Sequence, residues 1–172
     1  VKSIVQRDDR RVIGRYNPFE TFNFTDALLP IKTMTMSFTF TEGSEDSYIT
    51  GTSRNSYTRT WPDILIAMTR FEKLLNADWM SDTQLNLKHN KKTNTVAAVS
   101  YADSIMFGGD YRFKLFKKFD ISFGSDITST KEIDTVKNVM MQEGETFNWT
   151  LHTATDIKQW RMSLKYANSQ NW

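Results

Sequence analysis

In Tyr111-Arg112-Phe113-Lys114-Leu115-Phe116, bases alternate with apolar residues. On an extended strand this sends Arg112 and Lys114 to the face opposite Tyr111, Phe113 and Leu115. Lys88 stands in the same relation to Leu85 and Leu87. Cations on neighbouring strands recur at about 4.8 Å across a sheet and roughly 6.6 Å along it, comparable with phosphates on an extended nucleic-acid strand. Each neutralised phosphate releases counterions, so such a row binds a polyanion strongly in low salt and with little regard for sequence. Lys117, Lys118, Lys91 and Lys92 extend the candidate row. Arg54 and Arg59 add charge from an earlier segment, and Tyr57 offers a ring on which a base can stack. The competing reading is a solubilising face, since lysines on exposed strands guard against edge aggregation.

The charge is segregated along the chain. From Lys88 to Lys118 there are seven bases (Lys88, Lys91, Lys92, Arg112, Lys114, Lys117, Lys118) against two acids (Asp103, Asp110). From Phe119 to Asp156 there are two bases (Lys131, Lys137) against seven acids (Asp120, Asp126, Glu132, Asp134, Glu143, Glu145, Asp156). The formal net charge of +2 hides this contrast. Either the basic run makes a local field, or the acidic run folds back on it.

Other chemistry finds little support. The two histidines, His89 and His152, stand at expected strand ends with no nucleophile pattern beside them. Asp8-Asp9 and Glu45-Asp46 lack the periodic ligands of a calcium loop. Gly108-Gly109-Asp110 lacks the lysine and hydroxyl of a phosphate loop and reads as a hairpin turn. With no cysteine there is neither a disulfide framework nor a thiolate metal site. The expectation is a protein that is not an enzyme, with no cofactor and no metal. The triplets Asn23-Phe24-Thr25 and Asn148-Trp149-Thr150 match the glycosylation pattern, which is too common to carry weight.

A chain of 172 residues, 39% hydrophobic and 13% aromatic, can bury one sizeable core. No run of ~18 apolar residues occurs, so nothing in the chain is expected to span a bilayer and no membrane partner is expected. The chain opens at Val1, consistent with a processed or trimmed N-terminus.

Positioning elements follow from periodicity. Met34, Met36, Phe38 and Phe40 alternate with threonines and a serine, predicting a strand over Lys32–Thr41. Glu42–Asp46 then reads as a turn, with Ser47–Thr52 returning. Thr60-Trp61-Pro62-Asp63 resembles a helix N-terminus, and Trp61, Ile64, Leu65, Met68, Phe71 and Leu75 recur at three- and four-residue spacing, predicting a helix over Trp61–Asn76. Strands are expected at Gln84–His89, Thr95–Ala102 and Tyr111–Phe123, the last bent near Phe116. Thr130–Gln142 reads as a ragged insertion. Phe147, Trp149 and Leu151 mark a strand, and Thr153-Ala154-Thr155-Asp156 repeats the capping signature before a second helix carrying Ile157, Trp160, Leu164 and Ala167.

The expected fold is therefore α+β, a duplicated unit of a roughly four-stranded antiparallel sheet followed by a helix. It forms a single domain over 1–172, with pseudo-repeat halves of about 1–78 and 79–172. This order resembles the Whirly fold, with Phe147–Tyr166 similar to that family's last strand and helix and Thr60–Asn76 to its first helix. Within the family the chain looks most like the mitochondrial RNA-binding proteins of kinetoplastids. The plant members' Lys-Gly-Lys-Ala-Ala-Leu motif is absent; the nearest place, Val12-Ile13-Gly14-Arg15-Tyr16, does not match it.

The resemblance implies a mitochondrial heterotetramer with a related paralogous subunit. It also implies RNA held by its phosphates along the sheets, with bases free so that guide RNA and mRNA anneal during RNA editing. The alternative is a structural or assembly protein, such as a virion component or oligomeric scaffold, with a solubilising basic sheet.

Overall fold

The computed structural model describes residues 3–23, 25, 28–49, 52–97, 99–157 and 160–171. They form one eight-stranded sheet in which each strand pairs antiparallel with the next in sequence. The strands are β1 (Ser3–Tyr16), β2 (Thr35–Ile49), β3 (Thr52–Thr69), β4 (Met80–Val96), β5 (Ser100–Leu115), β6 (Phe119–Asp134), β7 (Val139–Ile157) and β8 (Trp160–Asn171). Two single-turn helices, α1 (Leu29–Lys32) and α2 (Glu72–Leu75), lie in the longer connections. At the end of the sheet that holds these helices, β5 and β6 join through a tight turn in which Phe116 and Lys117 take left-handed backbone angles. At the opposite end β2–β3, β4–β5 and β6–β7 join by short hairpins.

The α+β expectation is overturned. Residues 61–69, expected as helix, are the second half of β3, and the expected closing helix is the end of β7 and β8. The helical spacing at Ile64, Leu65 and Met68 coexists with period-2 placement of Ile64, Ile66 and Met68 on one face, within a run that Leu65 and Ala67 make apolar on both faces. Trp160, Met162, Leu164 and Tyr166 alternate in the same way. With no second layer to cover a helix, pairing with a neighbouring strand satisfies the backbone and the alternation prevails. The Thr-x-x-Asp signatures therefore cap nothing.

Smaller expectations change for the same reason. Glu42–Asp46 is strand, because β2 continues through it in register with β1 and β3. Gly108-Gly109-Asp110 lies mid-strand in β5, and Thr95–Ala102 holds the β4–β5 hairpin. Tyr111–Phe123 is two strands and their turn. Thr130–Gln142 is the β6–β7 hairpin rather than an insertion.

Two irregularities set the faces. In β3 an extra residue at Trp61-Pro62 shifts the register against both neighbours, where proline has no N–H to give the ladder. In β4 a bulge between Ser81 and Gln84 turns Thr83 inward, 2% exposed. There Thr83 Oγ1 accepts from Glu72 N at 3.1 Å, and Arg70 N donates to Thr83 O at 3.0 Å, tying the α2 connection to the sheet.

Among the described residues each strand touches only its sequence neighbours, and no layer covers either face. Among the described residues, buried apolar side chains are confined to Ala77, Met80, Val96, Ala154 and Pro30. A conventional core is missing from these residues.

Candidate functional site

Residues paired across antiparallel strands share a face, so the register assigns every side chain. One face is apolar over about half of each strand. It carries Met36, Phe38 and Phe40 on β2, Ile64, Ile66 and Met68 on β3, and Leu85 and Leu87 on β4. Ile105, Phe107, Tyr111, Phe113 and Leu115 continue it on β5, and Phe119, Ile121, Phe123 and Ile127 on β6. Phe147, Trp149 and Leu151 follow on β7, then Leu164 and Tyr166 on β8, with Trp149 and Tyr166 rings 4.9 Å apart. The result is a continuous belt. Ile105 to Leu115 spans ten steps (115 − 105). That is roughly 33 Å along β5, whereas Met36–Phe40 on β2 and Phe147–Leu151 on β7 each span four steps, about 13 Å.

Aromatic residues crowd the margins of the belt. At its upper margin Phe40 meets Trp61 edge-on at 6.1 Å, and the Arg59 guanidinium sits 5.5 Å from the Phe40 ring centroid. Level with Phe123, Tyr111 packs on Phe113 at 5.3 Å and on Phe71 at 6.1 Å, while Tyr16, Trp79 and Phe116 are exposed toward the lower margin.

The opposite face at the same height is polar. Asn86 Nδ2 donates to Asp110 Oδ2 at 2.6 Å, and Lys88 Nζ meets Asp110 Oδ1 at 2.8 Å. One strand further on, Asn148 Nδ2 donates to Asp126 Oδ2 at 2.9 Å. Gly108 lies between these clusters, where a Cβ would stand 2.7 Å from both Asp126 Cβ and Ser125 O. Only glycine admits that approach.

Exposure on the two faces runs opposite to that of a water-soluble sheet. Phe107 is 60% exposed, Ile127 50% and Phe123 45%. Asn86, Asp110, Ser122, Gly124, Asp126 and Thr128, on the reverse face of the same strands, are half-buried against one another.

Beyond the belt, toward the hairpin end, both faces become polar. Positions in line with the belt hold Glu42, Ser44 and Asp46 on β2, Tyr57 and Arg59 on β3, and Lys91, Thr93 and Thr95 on β4. Lys91 Nζ pairs with Asp103 Oδ2 at 3.2 Å, and the Tyr57 hydroxyl donates to Glu42 Oε1. That hydrogen bond holds the Tyr57 phenol above its ordinary range. On the other face Arg7 pairs with Glu45, whose hydrogen bond and charge raise the Arg7 guanidinium further.

The candidate nucleic-acid residues are divided by this arrangement. Arg112 and Lys114 on β5, Lys88 and Lys92 on β4, and Arg54 on β3 share the polar face. Lys91, Arg59 and Tyr57 project from the other side, above the belt, and Lys117 and Lys118 occupy the β5–β6 turn. Lys88 is paired with Asp110 and Lys91 with Asp103, and Lys114 meets Asp82 at 3.0 Å. Asp120 and Asp126 on β6 lie on the polar face as well, so carboxylates interleave with the cations. The residues that sequence reasoning overlooked are Asn86, Asp110, Asp126 and Asn148. For Asn86 the signal was the alternation of Gln84, Asn86 and Lys88 with Leu85 and Leu87. Among the described residues no group of three or more histidine, aspartate or glutamate side chains is placed to hold a metal ion.

No protein-family model matches the chain, and no curated protein or solved structure matches it either.

Proposed function

We propose that these strands form the wall of a membrane-spanning β-barrel, with the apolar belt against lipid and the polar face lining an aqueous interior. The inverted exposure carries the reading: large apolar side chains point outward while amides, carboxylates and a lysine crowd the reverse face of the same strands. Water would make so broad an uncovered belt an aggregation surface; a bilayer makes it the stable arrangement. Aromatic margins and apolar/polar alternation agree with an outer-membrane type of wall, whose strands need only ~9–11 residues to cross. The sequence-based expectation of no membrane rested on helical spans alone, and strands with period-2 alternation carry no long apolar run.

The test is reconstitution into lipid vesicles followed by quenching of tryptophan emission with lipids brominated at known depth. Trp149 lies within the belt, and the signal lost in W149F should be quenched most by bromines in the acyl region. Absence of that depth-dependent component, or a protein that stays in the aqueous phase, overturns the proposal.

A second reading keeps the polyanion track, with the polar face binding RNA to promote annealing. Its support is that Arg112, Lys92 and Arg54 share that face and have no ion pair among the described residues. Retention of unstructured RNA at ~50 mM salt that fades by ~200 mM, lost in R112A/K114A, favours this reading.

A further inference from the structure

The β6–β7 hairpin breaks the polarity of the rim with an apolar tip, where Val136, Val139, Met140 and Met141 are all exposed. Asp134 shapes its turn: Oδ1 accepts from Val136 N and Lys137 N, each at 2.9 Å, and Asn138 takes a left-handed backbone angle. Just inside the turn the register slips, so that Glu132 faces Gln142 but Ile133 faces Met140. Met141 is therefore the extra residue of a bulge, with no residue opposite it.

Exposure separates these two methionines from the others whose side chains are described. Met141 is 60% exposed and Met140 45%. Met34, Met36, Met68 and Met106 are half-buried. Met80 is buried, and its sulfur accepts from the Tyr111 hydroxyl at 3.7 Å. Thioether oxidation follows access of the oxidant to sulfur, and the sulfoxide formed is polar where the thioether was apolar.

We infer that Met140 and Met141 form a peroxide-modified site, a hairpin tip that oxidation turns from apolar to polar. The sulfur lone pair attacks one oxygen of hydrogen peroxide; an S–O bond forms and the O–O bond breaks. The proton on the attacked oxygen passes to the departing one, which leaves as water. Sulfur loses two electrons and the peroxide gains them. The two sulfurs differ in consequence. Met141 has no cross-strand partner, so its oxidation leaves the ladder as it is. Met140 stands opposite the half-buried Ile133, an apolar pair that a sulfoxide weakens, loosening the hairpin. Reductases acting on both sulfoxide epimers restore the thioether, so the change is reversible. This site does not rest on the membrane reading, because the hairpin end lies in water whether or not the belt meets lipid.

The test treats the whole folded chain with dilute hydrogen peroxide and follows each methionine by peptide mass mapping. Met141 should oxidise first and Met140 next, each at least several-fold faster than Met34, Met36, Met68, Met80 and Met106. Amide hydrogen exchange across residues 133–140 should rise in the oxidised wild type and in oxidised M141L, and fall back after reductase treatment. It should stay unchanged in oxidised M140L. Oxidation of any of the other five as fast as Met141 overturns the site. Exchange that rises equally in oxidised M140L, or in neither variant, overturns the part assigned to Met140.

Discussion

The strands of this sheet carry two compositions along one backbone. From β2 to β7, the halves nearer α1 and α2 carry the apolar belt on one face and mostly polar residues on the other, with Leu65 and Ala67 of β3 as exceptions. The halves nearer the hairpins are mostly polar on both faces, the exposed Val139-Met140-Met141 of β7 excepted. Hydrogen-bonded pairing is continuous through both, apart from the β3 and β4 bulges and a shift near Ile133. Backbone pairing therefore does not distinguish the halves; the surroundings they suit do. The belt half suits two media, one on each face, and the rim half suits water on both. A soluble sandwich would ask one face to be apolar over the full strand length, because a second layer would cover all of it. On the membrane reading, the abrupt change at Phe40/Glu42 and at Ile105/Asp103 marks a boundary of medium rather than of fold.

The largest effect should come from placing a charge in the belt. Phe123 is midway along the belt portion of β6, so F123R should cost about 2–4 kcal/mol in vesicles, the range for arginine near a bilayer midplane on a barrel's outer face. Thr93 occupies the corresponding face in the rim, and T93R should change stability by no more than about 0.5 kcal/mol. Denaturant titration of folding into vesicles measures both. Equal costs at the two sites would erase the distinction between the halves.

How much of this was legible beforehand depends on which period was read. Met36, Phe38 and Phe40, and likewise Phe147, Trp149 and Leu151, announced their strands because nothing in those segments fits a helix. Residues 61–76 supported both periods, and a Thr-x-x-Asp-like opening tipped the reading toward helix. The cap was a local signal, whereas the outcome depended on neighbours far away in sequence: Ile64 faces His89 and Phe38. The opposition of Arg112 and Lys114 to Tyr111, Phe113 and Leu115 was read from alternation, and the register shows the same division of faces. Cross-strand partners of the cations were not legible, because Lys88 meets Asp110 only once the β4–β5 register is known. The basic-to-acidic switch near Phe119 was visible, but charge counts along a chain say nothing about interleaving across a sheet.

Glycine substitutions compare the faces at closer range. Gly108 on the polar face has no room for a Cβ, since the blocking atoms include the backbone oxygen of Ser125 and not only a flexible side chain. G108A should cost about 1–3 kcal/mol, the usual range for overpacking. At Gly14 on β1 a Cβ would meet nothing within 4 Å, so G14A should be neutral or slightly stabilising. If both behave alike, the polar face is not as closely packed as the distances indicate.

Ion pairs sharpen the comparison further. D110N leaves Lys88 without its carboxylate and disturbs the Asn86 hydrogen bond on a face shielded by neighbouring strands. It should cost about 1–2 kcal/mol, and less at high salt because Lys88 is half-exposed. The rim pair Lys91–Asp103 is the less exposed of the two, at 38% and 22% against 48% and 34% for Lys88–Asp110. Among the described residues, however, no side-chain hydrogen bond supports it as Asn86 supports Asp110, and K91M should cost about 0–1 kcal/mol. Double-mutant cycles at the two pairs, run at low and high salt, measure the difference; a larger coupling in the rim would show that the Asn86 hydrogen bond does not strengthen the Lys88–Asp110 pair.

The smallest effect is a pH dependence confined to the rim. The hydrogen bond from Tyr57 to Glu42 raises the phenol's pKa, with lesser contributions from burial and from the Glu42 charge. A folded-state pKa above the unfolded value means that the associated stability is complete below the unfolded value, about 10, and is lost as pH rises through the folded one. The β2–β3 hairpin should therefore loosen at alkaline pH, with the belt intact. In the difference titration of phenolate absorbance between the native protein and Y57F, E42Q should move the transition toward the ordinary tyrosine value. It should leave depth-dependent quenching of Trp149 unchanged. An alkaline transition that also removed that quenching would tie rim and belt into one cooperative unit, and the boundary at Phe40/Glu42 would then lose its physical meaning.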